Sequence, residues 1–537
     1  MRKISLLLTV FMLLFLVIPA MAATSVNGNQ VTFTFKAPDA NMVYLSGNFN
    51  GWSPSGDKMT KGADGVWSVT IKLKPGTYQY KFVVDGKWIT DEDAASFADD
   101  GFGGKNSVLI VRAENSGADN KRLDALEAKV AAIDTSFQFH GYARSGILMN
   151  DKGGSNPFDN FHTNVKGWGP AAFRLGNESD TYYELDFAKK FTLDNGSWAT
   201  AHFMVGHKDG SDSDSEENGS VGYNSVRQTF VEMGGLEFAP NLTFWAGRRY
   251  YDREDIHLMD FYWKDMSGIG AGVQGINLGN SKLAIAFLTK SKPNGDTIPN
   301  LGQFVVKCWD FKVTELAAGP GNLDFDFAYY TAETGDALTK DVNGYHVDVA
   351  YGLGNFFGFA EGSSKVALQY GVGAGQDFNI QPWGDYSTDS NIDSYNKRTK
   401  TRLLGFGVWQ ISQQFEIQPA LVYQFTGNDG PSGSQSENWY AFGFRPVYHF
   451  NKNFALQFEA GRESLKRDWE DVTRTVTKFT IAPTLTLDFG YYTRPQLRAF
   501  ATYATWDNYT GDQAGYNQNK ASDSSGMFYG VQMEVWW

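Results

Sequence analysis

The chain has 537 residues, of which 15% are aromatic and 58 are glycine, and its formal net charge is −13 at pH 7. This acidic balance excludes nucleic acid as a partner, because a nucleic-acid-binding surface needs an excess of Lys and Arg. The single cysteine, Cys308, excludes an intrachain disulfide and zinc–cysteine sites, so stability must come from sheet closure and packing.

A secretory signal peptide is predicted at residues 1–22. Two basic residues precede an apolar run from Ile4 to Ile18, and Ala20-Met21-Ala22 forms a small-x-small cleavage site. The run is too short for a membrane-spanning helix, so the mature chain is predicted to begin at Ala23.

Residues 23–113 are predicted to fold as a small, immunoglobulin-like antiparallel β-sandwich. Short alternating runs are separated by turn residues such as Asp64-Gly65, Pro75-Gly76 and Asp85-Gly86, which is typical of such a fold. The predicted strands are Val31 to Lys36, Met42 to Ser46, Trp67 to Leu73, Tyr78 to Val84 and Val108 to Val111.

The tryptophans of this unit fall into two groups. Trp67 alternates in phase with Ile71 and Leu73, which predicts a core position. Trp52 and Trp88 lie beside turns among small and polar residues, where a ring is more often exposed. We therefore expect Trp52 and Trp88 to bind a ligand rather than to fill the core.

Two segments of this unit are similar to the glycogen-binding modules of AMP-activated protein kinase β subunits. These segments are LSGNFNGW (residues 45–52) and GTYQYKFVVDGKW (residues 76–88). The resemblance implies a glucan-binding platform made of Trp52, Lys81, Trp88 and Asn106.

Residues 114–134 are predicted to be a polar linker followed by a short helix. Leu123, Leu126, Val130 and Ile133 recur at steps of three, four and three, which indicates a coiled-coil seam two heptads long. Because a coiled coil of only two heptads has marginal stability, an isolated amphipathic helix is the alternative.

Residues 135–537 are predicted to form an 18-stranded antiparallel transmembrane β-barrel, so the whole chain belongs to the all-β class. Repeated short alternating runs and long loops rich in Gly, Asn, Asp and Ser are typical of an outer-membrane barrel. The runs begin near Phe137, Tyr182, Trp198, Ser225, Leu242, Gly270, Lys282, Phe304, Leu323, Tyr345, Lys365, Thr399, Phe415, Asn438, Phe454, Thr477, Pro495 and Met527.

The last predicted strand separates two faces clearly. Its lipid-suited face contains Tyr529, Val531, Met533, Val535 and Trp537, and its water-suited face contains Gly530, Gln532, Glu534 and Trp536. The same period-two argument places four aromatic residues on polar, lumenal faces. These residues are Tyr142, Tyr182, Tyr492 and Trp536.

A row of lumenal rings favours a track on which a glucose chain slides by its apolar faces. The alternative is four unrelated aromatics that pack against inward loops. A second candidate element runs from Phe244 to Tyr262, where charges of both signs stand beside aromatic rings, as suits a hydroxyl-rich, uncharged ligand. For this element the alternative is a solvated, salt-bridged loop.

Five segments of the barrel are similar to maltoporins. They are HGYARSG (140–146), FRLGNESDTYYEL (173–185), WAGRRYYDREDIHLMDFYWKDMSGIGAG (245–272), YYTRPQLRAFATYATWD (491–507) and QMEVWW (532–537). The resemblance implies that residues 245–272 lead into an inward-folded third loop that narrows a sugar pore. It also places the four lumenal aromatics on the family's "greasy slide".

The same resemblance implies a set of sugar-binding polar residues. They are Arg144, Arg174, Glu184, Arg227, Arg253, Asp260 and Tyr262, with Asp255 and His257 as further candidates. Two slide positions depart from the family. No tryptophan occurs between Ser211 and Gly222, so Tyr223 is the nearest aromatic there, and the mid-barrel phenylalanine aligns near Val366.

The expected function is a trimeric sugar porin of the bacterial outer membrane, with maltodextrin as its ligand and the glucan-binding module in the periplasm. Sucrose porins, which are relatives of maltoporins, have a longer coiled coil at the same place, so the short heptads support a homotrimer. The alternatives are a general diffusion porin, a porin for another sugar such as sucrose, and a glycosidase that uses Glu184, Asp255 or Asp260. No catalytic residue, metal or cofactor is predicted.

Overall fold

The computed structural model describes residues 22–27, 29–100, 104–111, 136–151, 173–176, 178, 180–209, 223–291, 305–334, 339–380, 388–429, 435–508 and 524–537. The signal peptide up to residue 21 and the predicted linker and coiled coil at 114–134 lie outside these residues. The described residues form two compact units, one on each side of residue 134.

The N-terminal unit consists of short antiparallel strands in two sheets. The strands are β1 (Ala22–Asn27), β2 (Gln30–Lys36), β3 (Val43–Gly47), β4 (Asp57–Lys58), β5 (Thr60–Lys61), β6 (Val66–Lys72), β7 (Gly76–Val84), β8 (Lys87–Ile89), β9 (Ser96–Asp99) and β10 (Lys105–Val111). One sheet has the order β1-β2-β6-β5, and the other has the order β4-β3-β7-β10-β9, with β8 paired to β7. The five predicted strands are confirmed as β2, β3, β6, β7 and β10.

Alternate side chains of β2 and β7 form the core of this unit. Phe33 and Phe35 from one sheet meet Tyr80 and Phe82 from the other, with ring centroids 4.9 Å (Phe33–Tyr80) and 4.6 Å (Phe35–Phe82) apart. Trp67 is 5% exposed in the same cluster, which confirms its predicted core position. Each buried ring of this size contributes roughly 1.5–3 kcal/mol by leaving water.

The C-terminal unit contains twenty strands among its described residues. They are β11 (Phe137–Asn150), β12 (Thr181–Thr192), β13 (Trp198–Asp209), β14 (Tyr223–Gly234), β15 (Thr243–Arg249), β16 (Arg253–Ile256), β17 (Phe261–Asp265), β18 (Gly268–Leu278), β19 (Ser281–Ser291), β20 (Val305–Ala318), β21 (Gly321–Ala332), β22 (Val342–Leu353), β23 (Gly362–Gly373), β24 (Thr399–Ser412), β25 (Phe415–Asp429), β26 (Gln435–Asn451), β27 (Phe454–Arg467), β28 (Thr473–Leu485), β29 (Gln496–Asp507) and β30 (Ser525–Trp536).

Eighteen of these strands close a barrel in chain order, and β16 and β17 form a separate hairpin. Each barrel strand is antiparallel to its neighbours, and β30 returns to pair with β11. The predicted number of strands is therefore confirmed, and each predicted run begins within four residues of an observed strand. A short helix, α1 (Asp389–Asn396), lies between β23 and β24. Within the part of the chain that the structure describes, no helix has the length and apolar character needed to cross a membrane.

The barrel wall has an apolar outer face and a largely polar inner face. Along β25, Leu421, Tyr423 and Phe425 are exposed, whereas Gln424 and Thr426 are buried inside. The last strand follows its predicted pattern, because Tyr529, Val531 and Trp537 are exposed and Gln532 and Glu534 are buried. An outer surface of this kind suits hydrocarbon, and the inner surface suits a polar lumen.

Candidate functional site in the barrel lumen

A hairpin inside the barrel narrows the lumen. It comprises β16, a 3-10 turn (His257–Met259) and β17, and we call it the inner hairpin, residues 253–265. Its apolar side chains are buried to 2% exposure or less; they are Ile256, Leu258, Met259, Phe261 and Trp263. They form one cluster with inward-facing wall residues, which include Leu404, Val422, Trp439, Ala441 and Leu465. The segment is thus a folded part of the interior rather than a solvated loop.

Three polar side chains of the two hairpin strands lie on the other side, toward the lumen. Arg253, Asp255 and Tyr262 line a lumenal cavity, while Trp263, next to Tyr262, packs on the wall. Asp260 ends the 3-10 turn with φ +49°, a left-handed conformation that is uncommon outside glycine. This turn sends Asp260 into the same cavity.

Four aromatic side chains and one histidine form a continuous row along the lumen. Successive ring centroids are 6.0 Å apart from Tyr182 to Tyr142, 6.4 Å from Tyr142 to Trp536, 5.7 Å from Trp536 to His257 and 6.0 Å from His257 to Tyr492. The structure therefore brings together all four predicted aromatics. His257 of the inner hairpin connects the two parts of the row.

Glu534 is the centre of a hydrogen-bond network beside this row. Its Oε1 accepts from the Tyr142 hydroxyl at 3.0 Å and from Arg174 at 3.3 Å, and its Oε2 accepts from Arg494 at 2.8 Å. Arg498 also pairs with Oε2. The Arg494 guanidinium lies 4.2 Å from the ring centroid of Trp536, so this network positions a ring of the row.

Arg174 joins that network to the inner hairpin. Its guanidinium donates to Glu178 at 2.9 Å, to Asp260 at 3.2 Å and to the Tyr142 hydroxyl at 2.8 Å. The preceding residue, Phe173, is 1% exposed and has a left-handed backbone with φ +45°. Its ring lies against two wall glycines, where an added Cβ would come within 2.1 Å (Gly443) and 2.3 Å (Gly461) of ring carbons.

Tyr182 lies among charged groups. The guanidinium carbons of Arg144 and Arg227 are 5.1 and 5.8 Å from its ring centroid. Arg144 also forms a bidentate pair with Asp180 at 2.8 and 2.9 Å. The Tyr250 hydroxyl donates to Glu184 at 2.7 Å. Paired ions of this kind exchange hydrogen bonds with hydroxyl groups and leave little net charge in the lumen.

Arg253 lies between two aromatic rings. Its guanidinium carbon is 4.3 Å from the centroid of Tyr250 and 4.1 Å from that of Tyr262. This contact holds the side chain of Arg253 in place on the lumenal side of the inner hairpin.

These groups line a cavity of about 500 Å³. All seven predicted polar residues line it, together with both further candidates and three of the four predicted aromatics. The lining residues are Tyr142, Arg144, Arg174, Tyr182, Glu184, Lys208, Arg227, Tyr250, Arg253, Asp255, His257, Asp260, Tyr262 and Trp536.

Tyr492 lines a second cavity, of about 560 Å³, but it does not lie on the strand that we predicted for it. We assigned it by alternation along a strand, but β29 begins at Gln496 and Tyr492 lies in the turn before it. Its hydroxyl accepts a hydrogen bond from Gln418 at 2.8 Å, and its ring is 44% exposed. It reaches the row through this turn rather than through strand parity.

The alignment of a mid-barrel aromatic near Val366 is wrong as a lumenal position. Val366 is 38% exposed on the outer face of β23, next to the buried Ala367. The aromatic residue that lines the second cavity with Tyr492 is Phe406 on β24. Residues 211–222 and the side chain of Tyr223 lie outside the described part of the chain.

The sequence analysis did not identify two residues of the first cavity, nor any residue of the second cavity except Tyr492. Tyr250 and Lys208 line the first cavity, and Phe406 lines the second. Tyr250 belongs to the aromatic-rich segment that was singled out, so its ring was a visible signal. Phe406 alternates with Arg402 and Leu404 on one face of β24, and that parity could have identified it.

The N-terminal unit has a second candidate site, on the outer face of its larger sheet. Trp88 pairs with Val83 of β7, and Ser107 pairs with Tyr80, which puts Asn106 beside Lys81 across the sheet. Trp52 is added from a turn, with its ring centroid 6.3 Å from that of Trp88. The structure thus brings all four predicted platform residues together.

The tryptophans of this platform differ from its polar residues in their exposure and in their contacts. Trp88 is 44% exposed, and Trp52 has φ +58°, a conformation in which a tryptophan is rarely found. Lys81 pairs with Asp100 at 2.5 Å, and the Asn106 amide donates to Gln79 at 3.0 Å. The Trp88 ring therefore offers an exposed surface, and the two polar side chains are held by neighbouring residues.

Comparison with known proteins gives matches for both units. Residues 137–537 match a family model described as LamB porin, and residues 29–116 match one described as the glycogen recognition site of AMP-activated protein kinase. A protein named maltoporin from Hahella chejuensis (strain KCTC 2396) is 28% identical over 428 residues, covering 78% of this chain and 99% of the relative.

Solved structures with a similar arrangement include two from Pseudomonas aeruginosa. OpdK with vanillate has 10% sequence identity and a TM-score of 0.41, covering 75% of this chain and 99% of that chain. OccK9 (OpdG) has 9% identity and a TM-score of 0.42, covering 75% of this chain and 98% of that chain.

Proposed function

The chain belongs to the LamB porin family, and from that premise we propose that it conducts linear maltodextrins across the outer membrane along the row of lumenal rings. The observation that supports this proposal best is the row itself, which runs Tyr182, Tyr142, Trp536, His257 and Tyr492 with centroids about 6 Å apart. An aromatic side chain in a polar lumen has no core to fill, so its exposed face is available to the apolar face of a sugar.

The spacing of the rings suits a chain that must keep moving. A sugar that leaves one ring meets the next before it returns to water, so no single contact needs to be strong. Conduction requires binding that is favourable enough to enter and weak enough to leave. Phe406 lines the second cavity together with Tyr492, and we infer that it extends the row there as the mid-barrel aromatic.

The polar groups give the row its preference for hydroxyl-rich, uncharged solutes. Arg174 pairs with both Asp260 and Glu534, so Arg174 and Asp260, which line the first cavity, exchange hydrogen bonds with sugar hydroxyls without attracting a counter-ion. Bidentate and ring-stacked guanidinium groups hold fixed geometry, which favours recognition over simple charge attraction.

Two other functions remain as alternatives. A general diffusion porin would conduct solutes by size alone and would gain nothing from a row of rings. A porin for sucrose would use the same kind of lumen with a different size preference. The family and the barrel assign the chain to transport rather than to enzymatic catalysis.

Liposome swelling distinguishes these functions. The full-length protein is reconstituted, and a disaccharide of a different linkage serves as the reference. We expect maltotriose and maltohexaose to enter much faster than their molecular masses predict from the entry rate of that disaccharide. Rates that fall smoothly with molecular mass for all sugars would contradict the maltodextrin assignment and support a general porin. Faster entry of sucrose than of maltose would identify a sucrose porin.

We further propose that the N-terminal unit binds α-glucan in the periplasm and holds chains that leave the pore. Trp52 and Trp88 offer two neighbouring rings, and Lys81 and Asn106 lie on the same face of the sheet. Native gels that contain glycogen test the binding: the full-length protein is expected to be retarded, and equal mobility with and without glycogen would contradict it. The homotrimer is part of the same proposal, and light scattering in detergent tests it.

A further inference from the structure

A buried polar cluster lies between the inner hairpin and the barrel wall, away from the sugar row. It contains Asp310 on β20, Asp326 on β21 and His346 on β22, which are 0%, 2% and 0% exposed. The three residues come from adjacent strands. One side-chain ligand atom from each lies within 4.8 Å of the other two.

Each of the three groups has one atom bound and one atom unsatisfied. Asp310 Oδ2 accepts from the Tyr251 hydroxyl at 3.0 Å, and Asp326 Oδ2 accepts from Lys264. Asp310 Oδ1, Asp326 Oδ1 and His346 Nε2 have no hydrogen-bond partner among the described residues. Buried polar atoms are rarely left in this state, because each one loses its hydration without compensation.

Tyr330 contacts Nδ1 of His346 and leaves Nε2 without a hydrogen-bond partner among the described residues. Its hydroxyl donates to Met266 Sδ at 3.3 Å, and the same oxygen lies 2.9 Å from His346 Nδ1. A hydroxyl has one hydrogen, and we infer that it points to Met266 Sδ, so that the Tyr330 oxygen accepts from a protonated Nδ1. His346 Nε2 then presents a lone pair. A histidine that ligates a metal donates its other N–H in the same way.

The lone pair of His346 points at carboxylate oxygens. Nε2 lies 3.5 Å from Asp326 Oδ1 and 3.7 Å from Asp348 Oδ2, beyond normal hydrogen-bond length. Two ligand atoms that share an ion at roughly 2.0–2.2 Å are separated by about 3–4 Å. The separation of His346 Nε2 and Asp326 Oδ1 is therefore that of two ligands that share one ion, and Asp310 offers a ligand atom within 4.8 Å of both side chains.

The charge of the surroundings favours a cation. Four carboxylates meet here, from Asp252, Asp310, Asp326 and Asp348, against two ammonium groups, Lys264 and Lys312. The guanidinium of Arg402 reaches Asp348 only through Gln369. Counting it still leaves an excess of one negative charge, and Asp310 has no ion-pair partner among the described residues.

We propose that Asp310, Asp326 and His346 bind a divalent first-row transition metal ion, of which Zn²⁺ is the representative. One imidazole nitrogen and two carboxylate oxygens are typical ligands for such an ion, whereas Ca²⁺ and Mg²⁺ prefer oxygen alone. The ion would join three adjacent wall strands. Lys264 of the inner hairpin pairs with Asp326 and with Asp252, which directly precedes the hairpin, so the site would also fix that hairpin in the lumen.

Because the ligands are buried, the ion must enter as the barrel folds. The test is to refold the full-length protein in detergent with Zn²⁺ or with EDTA, to remove free metal and to measure bound zinc by mass spectrometry. The expected result is about one zinc per chain after refolding with Zn²⁺ and a higher denaturation temperature than after refolding with EDTA.

Three variants decide the assignment. His346→Gln is expected to lose the bound zinc, and Asp310→Asn provides a milder change, because an amide oxygen still accepts from Tyr251. His449→Gln is the matched control, since His449 is also a fully buried barrel histidine and lies in a different part of the wall. Folded protein without zinc, or zinc retained equally by all three variants, would overturn the proposal and indicate that a proton balances Asp310 instead.

Discussion

Tyr142 and Trp536 face each other across the seam that closes the barrel, with their rings nearly parallel at 18° and their centroids 6.4 Å apart. They are register partners on β11 and β30, the first and last strands of the barrel. The centre of the ring row thus exists only when the barrel is closed, so correct folding and the sugar track depend on the same strand pairing.

Removal of the exposed platform ring is expected to abolish most glucan binding by the N-terminal unit. Trp88→Ala removes a stacking surface, which lowers affinity by about tenfold. Affinity electrophoresis of the full-length protein in glycogen measures it. Phe97→Ala is the control, because Phe97 is equally exposed at 43% but pairs with Ser107, on the opposite face from Lys81 and Asn106. Equal losses in both variants would contradict the platform.

A methyl group at Gly461 is expected to displace the residues that support the sugar site from the barrel wall. In Gly461→Ala the new Cβ would lie 2.3 Å from the Phe173 ring, so Phe173 must move and Arg174 with it. Overpacking of this kind costs about 1–3 kcal/mol. We expect weaker maltohexaose binding in current-block measurements. Gly405→Ala is the control, since the atom nearest to its new Cβ would be 3.8 Å away. Sugar binding by Gly461→Ala equal to that of the native protein would contradict the role of Phe173 in positioning Arg174.

Phe406 is expected to matter more for long chains than for short ones. It lines the second cavity with Tyr492, so a chain must be long enough to reach both cavities before Phe406→Ala affects it. The ratio of maltohexaose to maltose affinity should fall in this variant. Leu403→Ala, on the outer face of the same strand, should leave the ratio unchanged. A uniform loss for both sugars would argue against a mid-barrel role.

The N-terminal unit should show a pH-dependent contribution from Asp91. This carboxyl is 1% exposed and accepts from the Tyr80 hydroxyl at 2.5 Å, and burial raises its pKa above the usual 3.8. The folded unit then binds more protons than the unfolded chain, so Asp91 is least costly below pH 3.8 and reduces stability as pH rises toward its folded pKa.

Asp91→Asn removes this dependence. The difference in melting temperature between Asp91→Asn and the native protein should therefore rise from acidic to neutral pH and then level off, as followed by calorimetry of the full-length chain. Asp39→Asn changes an exposed carboxylate and serves as the control. A difference that is constant with pH would show that the carboxyl has the same pKa folded and unfolded.

Local sequence patterns predicted much of the architecture. Period-two alternation is a property of each strand alone, which is why eighteen runs and both faces of β30 could be assigned in advance. Tyr492 and Val366 show the limit of the same argument. Tyr492 lies in a turn where alternation does not apply, and the resemblance near Val366 pointed to a residue on the outer face.

Contacts between distant segments were beyond the sequence. Lys264 of the inner hairpin meets Asp326 and Asp348 only because the hairpin folds back onto β21 and β22. Asp310, Asp326 and His346 likewise come together from three strands, and their spacing in the sequence matches no metal-binding motif. Residue types alone singled out the segment that contains Arg253, Asp260 and Tyr262, whereas Arg144, Arg174, Glu184 and Arg227 were assigned as sugar-binding residues by resemblance to a family.

The most direct test of the sugar track is the block of single-channel current by maltohexaose in a planar bilayer. Native protein should show saturable block, and Trp536→Ala and Tyr142→Ala should each weaken it by about tenfold. Tyr529→Ala, which removes an exposed ring from the outer face of the same strand as Trp536, should leave the block unchanged. Current that maltohexaose does not block, or block of equal strength in native protein and Trp536→Ala, would contradict the account.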